Sequence, residues 1–152
     1  MRFLAAGLLV VALLAGCGGS SSKSEDPQIA HLEAIDVAGD TLRFDFDDAP
    51  STVRGRYVPK AQLAECGSGM DVPLKGSAFY VVHFTPAATA KIDGEKVVPT
   101  YKGPYRLSGP GPILELARIC DFESDLAWAV GLESRLQPNV SRDGSTVTVF
   151  FK

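Results

Sequence analysis

Three cysteines, two histidines and one tryptophan are all that 152 residues hold of three side chains often used for metal, redox and recognition chemistry. No CxxC pair is present, and the two His and three Cys show none of the usual zinc-ligand spacings. Serines 108, 124 and 134 lack a Gly-x-Ser-x-Gly elbow. Positive charge is scarce too: 15 Lys+Arg stand against 18 Asp+Glu, giving a net charge of −3 and a pI near 5.3. That removes the electrostatic footprint of a nucleic-acid binder, which neutralises many phosphates at once. The amino-terminal apolar run, Phe3 to Leu14, has 12 residues, whereas a membrane-crossing helix needs about 20. With 15 Gly and 10 Pro, long uninterrupted helices are disfavoured. The length suits one ordinary domain.

What is present begins with an address. Met1-Arg2 followed by an uncharged core and then Leu14-Ala15-Gly16-Cys17 has the form of a bacterial lipoprotein signal. Residues 1–16 are expected to be removed, leaving Cys17 as the first residue, its thiol carrying a diacylglyceryl group. Two or more acyl chains give stable anchoring, where one would be marginal. Residues 17–28, rich in Gly and Ser, read as a flexible linker with no apolar face. About ten such residues span roughly 17–19 Å root-mean-square, so the domain is expected close to its membrane, on the extracytoplasmic, cell-wall side. Removal of Arg2 brings the mature charge to −4.

With Cys17 lipidated, Cys66 and Cys120 remain, and in an oxidising compartment a lone thiol pair is expected to form a disulfide.

From residue 29 the apolar residues recur with period two. Ile35 and Val37, then Leu42, Phe44 and Phe46, flank Gly39-Asp40, a two-residue hairpin signal. Val53, Gly55 and Tyr57 share one face of a third strand. Ala78 to Phe84 is apolar on both faces, as a strand covered on each side would be. Ile113 to Phe122 follows Gly-Pro pairs, and Leu126, Trp128, Val130 and Leu132 alternate with Ala127, Ala129 and Gly131. Thr146 to Phe151, entered through Asp143-Gly144, closes the chain. Seven or eight short strands predict an all-β fold, a small antiparallel sandwich or partly open barrel over 29–152. Helical turns are expected only at Pro59–Glu65 and Pro86–Ala90. Gly94 and Tyr101–Pro112 read as surface loops.

Leu42-Arg43-Phe44-Asp45-Phe46, Arg54-Gly55-Arg56-Tyr57-Val58, Val72-Pro73-Leu74-Lys75-Gly76-Ser77-Ala78, Tyr101-Lys102-Gly103-Pro104 and Asp121 through Leu132 occur in an order and spacing that resemble the AMIN-like domain of actinobacterial envelope proteins and lipoproteins. The resemblance covers nearly the whole mature chain, with Cys66 and Cys120 as local additions. It implies a β-sandwich-like envelope domain without catalytic chemistry. By analogy with AMIN modules it points to peptidoglycan or an envelope protein as partner.

Candidate sites follow from position. Tyr101 and Tyr105 fall in a Gly/Pro loop where core packing has less claim on them, making them the candidate sugar-stacking rings. Trp128, Phe122 and Leu126 read as core. Asp45, Asp47 and Asp48 read as a solvated strand edge. Asp121, Glu123 and Asp125 have calcium-like alternate spacing but lack the loop glycine. His83 reads as a hydrogen-bonded neutral histidine at a strand rim. Gly109-Pro110-Gly111-Pro112 lacks the amide donors of a phosphate cradle. No metal, cofactor or nucleic-acid partner is expected, and no enzyme. The rival expectation is a carrier lipoprotein holding an apolar molecule between its sheets, supported by Phe79–Phe84.

Overall fold

The computed structural model describes residues 28–152. Cys17 and the signal and linker assignments lie outside the described residues, apart from Gln28. Twelve strands run in the order β1 (Ala30–Ala38), β2 (Thr41–Phe46), β3 (Thr52–Val58), β4 (Ala78–Thr85), β5 (Ala87–Ala88), β6 (Ala90–Asp93), β7 (Lys96–Pro99), β8 (Arg106–Ser108), β9 (Ile113–Phe122), β10 (Asp125–Leu132), β11 (Pro138–Asp143) and β12 (Thr146–Phe151). One five-stranded sheet has the order β11-β12-β2-β1-β5, the other β3-β4-β10-β9-β8, and β6-β7 forms a separate hairpin. All pairings are antiparallel except β1 with β5. The sandwich expected from alternation is what the chain forms.

Alternation decides which residues meet between the sheets. Leu42, Phe44 and Phe46 of β2 and Val147, Val149 and Phe151 of β12 face Tyr80, Val82 and Phe84 of β4 and Leu126, Trp128, Val130 and Leu132 of β10. Phe44 and Phe46 lie 4.7 and 5.0 Å from the Phe84 ring, and Tyr80 meets Phe151 edge-on at 5.4 Å. Such aromatic pairs add about 0.5–1.5 kcal/mol each beyond their burial.

A second apolar layer lies on the far side of β4 and β10. Phe79, Val81, Ala127 and Ala129 there are buried by Val58, Leu63, Val72 and Leu74. Residues 59–77, connecting β3 to β4, thus fold back over the outer face of their own sheet. Small residues on that face permit the close approach. A Cβ on Gly131 would stand 1.9 Å from the Lys75 carbonyl oxygen. One end of the segment is stapled by the Cys66–Cys120 disulfide. The other is held by Glu115, which accepts the Lys75 N–H at 3.0 Å and pairs with Arg106 at 3.1 Å. Burial alone would raise the Glu115 carboxyl, but these donors outweigh it and hold it below the usual carboxylate value.

Several local expectations are corrected. Pro86–Ala90 holds no helical turn; β5 there pairs parallel with Ala30 and His31. Lys60–Gln62 does form a single 3-10 turn. Gly94 lies in the exposed turn between β6 and β7, a surface loop as expected, whereas Tyr101–Pro112 includes β8. The strands that alternation misses are short or lie on exposed edges. Every residue of β7 is exposed, and β11 is exposed except at Pro138. Neither buries a face that would impose a periodic pattern. Phe122 is also corrected: it is 61% exposed, while Leu126 is core as expected.

Candidate functional site

The covering segment leaves one end of the outer sheet face open, around the β9-β10 turn. That turn is made by Glu123 and Ser124, both at positive φ (50° and 63°) without being glycine. Two such residues cost on the order of 1–3 kcal/mol each and persist only where surroundings fix them. Here the Ser124 carbonyl accepts the Ala87 N–H at 2.8 Å, locking the turn to β5. Phe122 and Asp125 face each other across it.

On the β9 side of this turn a cavity of about 340 Å³ is lined by Cys66, Gly67, Ser68, Tyr105, Arg118, Asp121 and Phe122, among others. Tyr105 is half-exposed, and with Phe122 it gives the cavity two aromatic rings. The Arg118 guanidinium lies 3.6 Å from the Tyr105 ring centroid and 2.8 Å from Asp121 Oδ2. It also donates to Thr89 Oγ1 at 3.0 Å, and the Thr89 hydroxyl donates to Asp121. A planar cation, its carboxylate and two rings are thereby fixed at one opening. Rings offer apolar faces to sugar C–H groups while fixed polar groups orient hydroxyls.

Tyr101 does not join Tyr105 as a second surface ring. It is only 4% exposed, meets Trp128 edge-on at 5.7 Å and donates its hydroxyl to the Pro104 carbonyl. Burial raises its phenol above the usual value, with Tyr105 adding to the effect. Of the two rings the sequence singled out as exposed in this loop, Tyr105 is at the surface and Tyr101 is in the core. Arg118 was missed, Phe122 was assigned to the core and Asp121 was weighed only with Glu123 and Asp125, because the irregular pairing of β9 with β10 between Ala127 and Trp128 shifts which residues face out.

On the β10 side, a groove of about 620 Å³ is lined by Thr52, Arg54, Gly55, Arg56, His83, Thr85 and Asp125. Arg54 and Arg56 share the outer face of edge strand β3, and Arg54 stands beside His83 in the ladder. His83 Nδ1 lies 3.2 Å from Asp125 Oδ1, so it has the rim position and hydrogen bond expected of it. Gly55, between the arginines, has no side chain because a Cβ there would stand 1.8 Å from the Tyr80 hydroxyl.

The other acidic groups are engaged locally. Asp45 binds Arg43 and Thr146, and Asp47 accepts from the His31 backbone at 2.6 Å and lies 2.9 Å from its ring. Burial would raise the Asp47 carboxyl, but its bonds to His31 prevail and lower it. Asp121 and Asp125 diverge, one to Arg118 and the other to His83. Among the described residues, no group of three His, Cys, Asp or Glu side chains is placed to hold a metal ion. No helix among them is long and apolar enough to cross a membrane.

Both faces of Phe79–Phe84 are packed by the chain's own residues apart from the His83 rim, which removes the feature that favoured an apolar-ligand carrier. The fold is a two-sheet β-sandwich with two openings that flank one turn. The AMIN-like domain family matches residues 37–146, well over half of the chain, and the protein belongs to that family. No curated protein and no solved structure matches the chain significantly.

Proposed function

We propose that the protein is a non-enzymatic, membrane-anchored lipoprotein whose AMIN-like domain holds on to cell-wall glycan through the Tyr105–Phe122 cavity. The observation that carries the reading is the pair of exposed rings lining one opening beside the fixed Arg118–Asp121 pair. Attachment through Cys17 and a short linker keeps that opening within reach of the inner wall. The arrangement of two rings beside a fixed ion pair supports binding. A purified-peptidoglycan pull-down tests it. The full chain is expected to be retained, and Y105A/F122A is expected to lose at least about tenfold of that retention, the loss of roughly one stacking contact. Equal retention of both proteins rejects the glycan site. Incorporation of labelled palmitate that disappears in C17A tests the anchor.

A further inference from the structure

The groove on the other side of the β9-β10 turn has a charge pattern that glycan stacking does not use. Arg54 and Arg56 are both exposed, and among the described residues neither has a carboxylate within ion-pair distance. By contrast, Arg43, Arg106 and Arg118 all have carboxylate partners. Residues two apart on a strand stand roughly 6.7 Å apart on one face. The two guanidinium forks are therefore close enough to converge on one carboxylate, which Arg grips bidentately.

The groove is not uniformly positive. Asp125 lies two strands away and two residues along the ladder from Arg54, roughly 12 Å at about 4.8 Å per strand and 3.3 Å per residue, with Arg56 two residues further off. Its contacts with His83 and Thr85 are long, 3.2 and 3.4 Å, and both fall on Oδ1. Oδ2 is left with no protein partner among the described residues, on a side chain 43% exposed. Thr52 and Thr85 line the groove with hydroxyls. A simple anion would be repelled by Asp125, and a simple cation by the arginines. A ligand bearing both charges, an anion toward β3 and a cation toward β10, satisfies both ends.

We propose that the Arg54–Arg56–Asp125 groove binds a zwitterionic peptide segment, its free carboxylate on the two arginines and its free amine on Asp125. This deepens the wall-binding reading and rests on it for the source of the peptide. The groove and the aromatic cavity meet at the Phe122–Asp125 pair. A glycan held at one is thus placed to present its peptide substituent to the other.

The test uses the full chain in detergent micelles and the probe Nα-fluorescein-Gly-L-Lys-D-Ala-D-Ala, which has a free side-chain amine and a free carboxylate, read by fluorescence anisotropy. Amidating the probe's carboxylate, or introducing R54Q/R56Q, is expected to weaken binding at least about tenfold. Acetylating its amine is expected to weaken binding about threefold to tenfold in the native protein and to have no effect in D125N. R54K/R56K, which keeps the charges but loses the forks, is expected to fall between native and R54Q/R56Q. Absence of millimolar binding, or binding indifferent to R54Q/R56Q, overturns the proposal. Arginine-dependent binding that ignores the amine overturns the zwitterion assignment. Self-association of R54Q/R56Q with unchanged probe affinity also overturns it and makes the arginines guards of an edge strand. The probe contains no sugar, so its failure is distinct from a failure of the glycan reading, which the retention of Y105A/F122A on peptidoglycan decides separately.

Discussion

Removing the Cys66–Cys120 disulfide removes the covalent cross-link between the covering segment and β9 of the sheet beneath it. The bonded residues are 54 apart in sequence. In the chain-entropy treatment, a loop of that length restricts the unfolded chain by roughly 14 cal/mol/K, or about 4 kcal/mol at 25 °C. That is a large part of the 5–15 kcal/mol by which ordinary domains are stable, and about a thousandfold in the folded-to-unfolded ratio. The packing of Leu63, Val72 and Leu74 on Phe79, Val81 and Ala129 does not require the sulfurs, so C66A/C120A is expected to fold. Urea unfolding of the native and C66A/C120A chains, followed by tryptophan fluorescence of buried Trp128, measures the difference. A midpoint drop corresponding to about 3–5 kcal/mol supports the account. A change below about 1 kcal/mol refutes it, because the unfolded chain would then gain no freedom from the cut. Hydrogen exchange separates a second effect: protection at the Cys66 and Val72 amides, bonded to Ile119 and Leu63, should fall below that of β4 and β10.

Other outcomes follow from single contacts. Replacing Glu123-Ser124 by Asn-Gly relieves two positive-φ side chains and should stabilise by about 1–2 kcal/mol in thermal or urea melts. Tyr57 donates to the Leu136 carbonyl at 2.7 Å and accepts the Leu136 N–H at 3.2 Å, so Y57F should cost about 1–2 kcal/mol. Gly131→Ala should cost more than about 3 kcal/mol, since a backbone carbonyl blocks the new methyl. Glu115 and Asp47 have lowered carboxyl values in the folded state, so their contribution is present above the unfolded value, about 4, and is lost as pH falls through the folded one. Acid titration of stability should therefore show a decline below about pH 4 that is shallower in E115Q.

Much of the architecture was legible because sheets bury alternate residues. Leu126, Trp128, Val130 and Leu132 announce the inner face of β10, while Ala127, Ala129 and Gly131 announce a close neighbour on the other. Which neighbour was not legible: only folding shows that residues 59–77 double back, because their contacts with β9 and β10, at Cys120, Glu115 and Gly131, are distant in sequence. Loop composition singled out Tyr105 as a surface ring but gave no means of telling it from Tyr101. Both lie among glycines and prolines, and the difference is that Tyr101 reaches Trp128 while Tyr105 stays half-exposed beside Arg118.

By itself the sequence determined the all-β class, the hairpin at Gly39-Asp40 and the family, since those depend on local pattern and turn chemistry. The tertiary structure alone decided that Phe122 is exposed, that Arg54 and Arg56 lack carboxylate partners among the described residues, and that Asp125 shares their groove. Those facts depend on bulges, on edge position and on which strands become neighbours, and no local pattern along the chain encodes them.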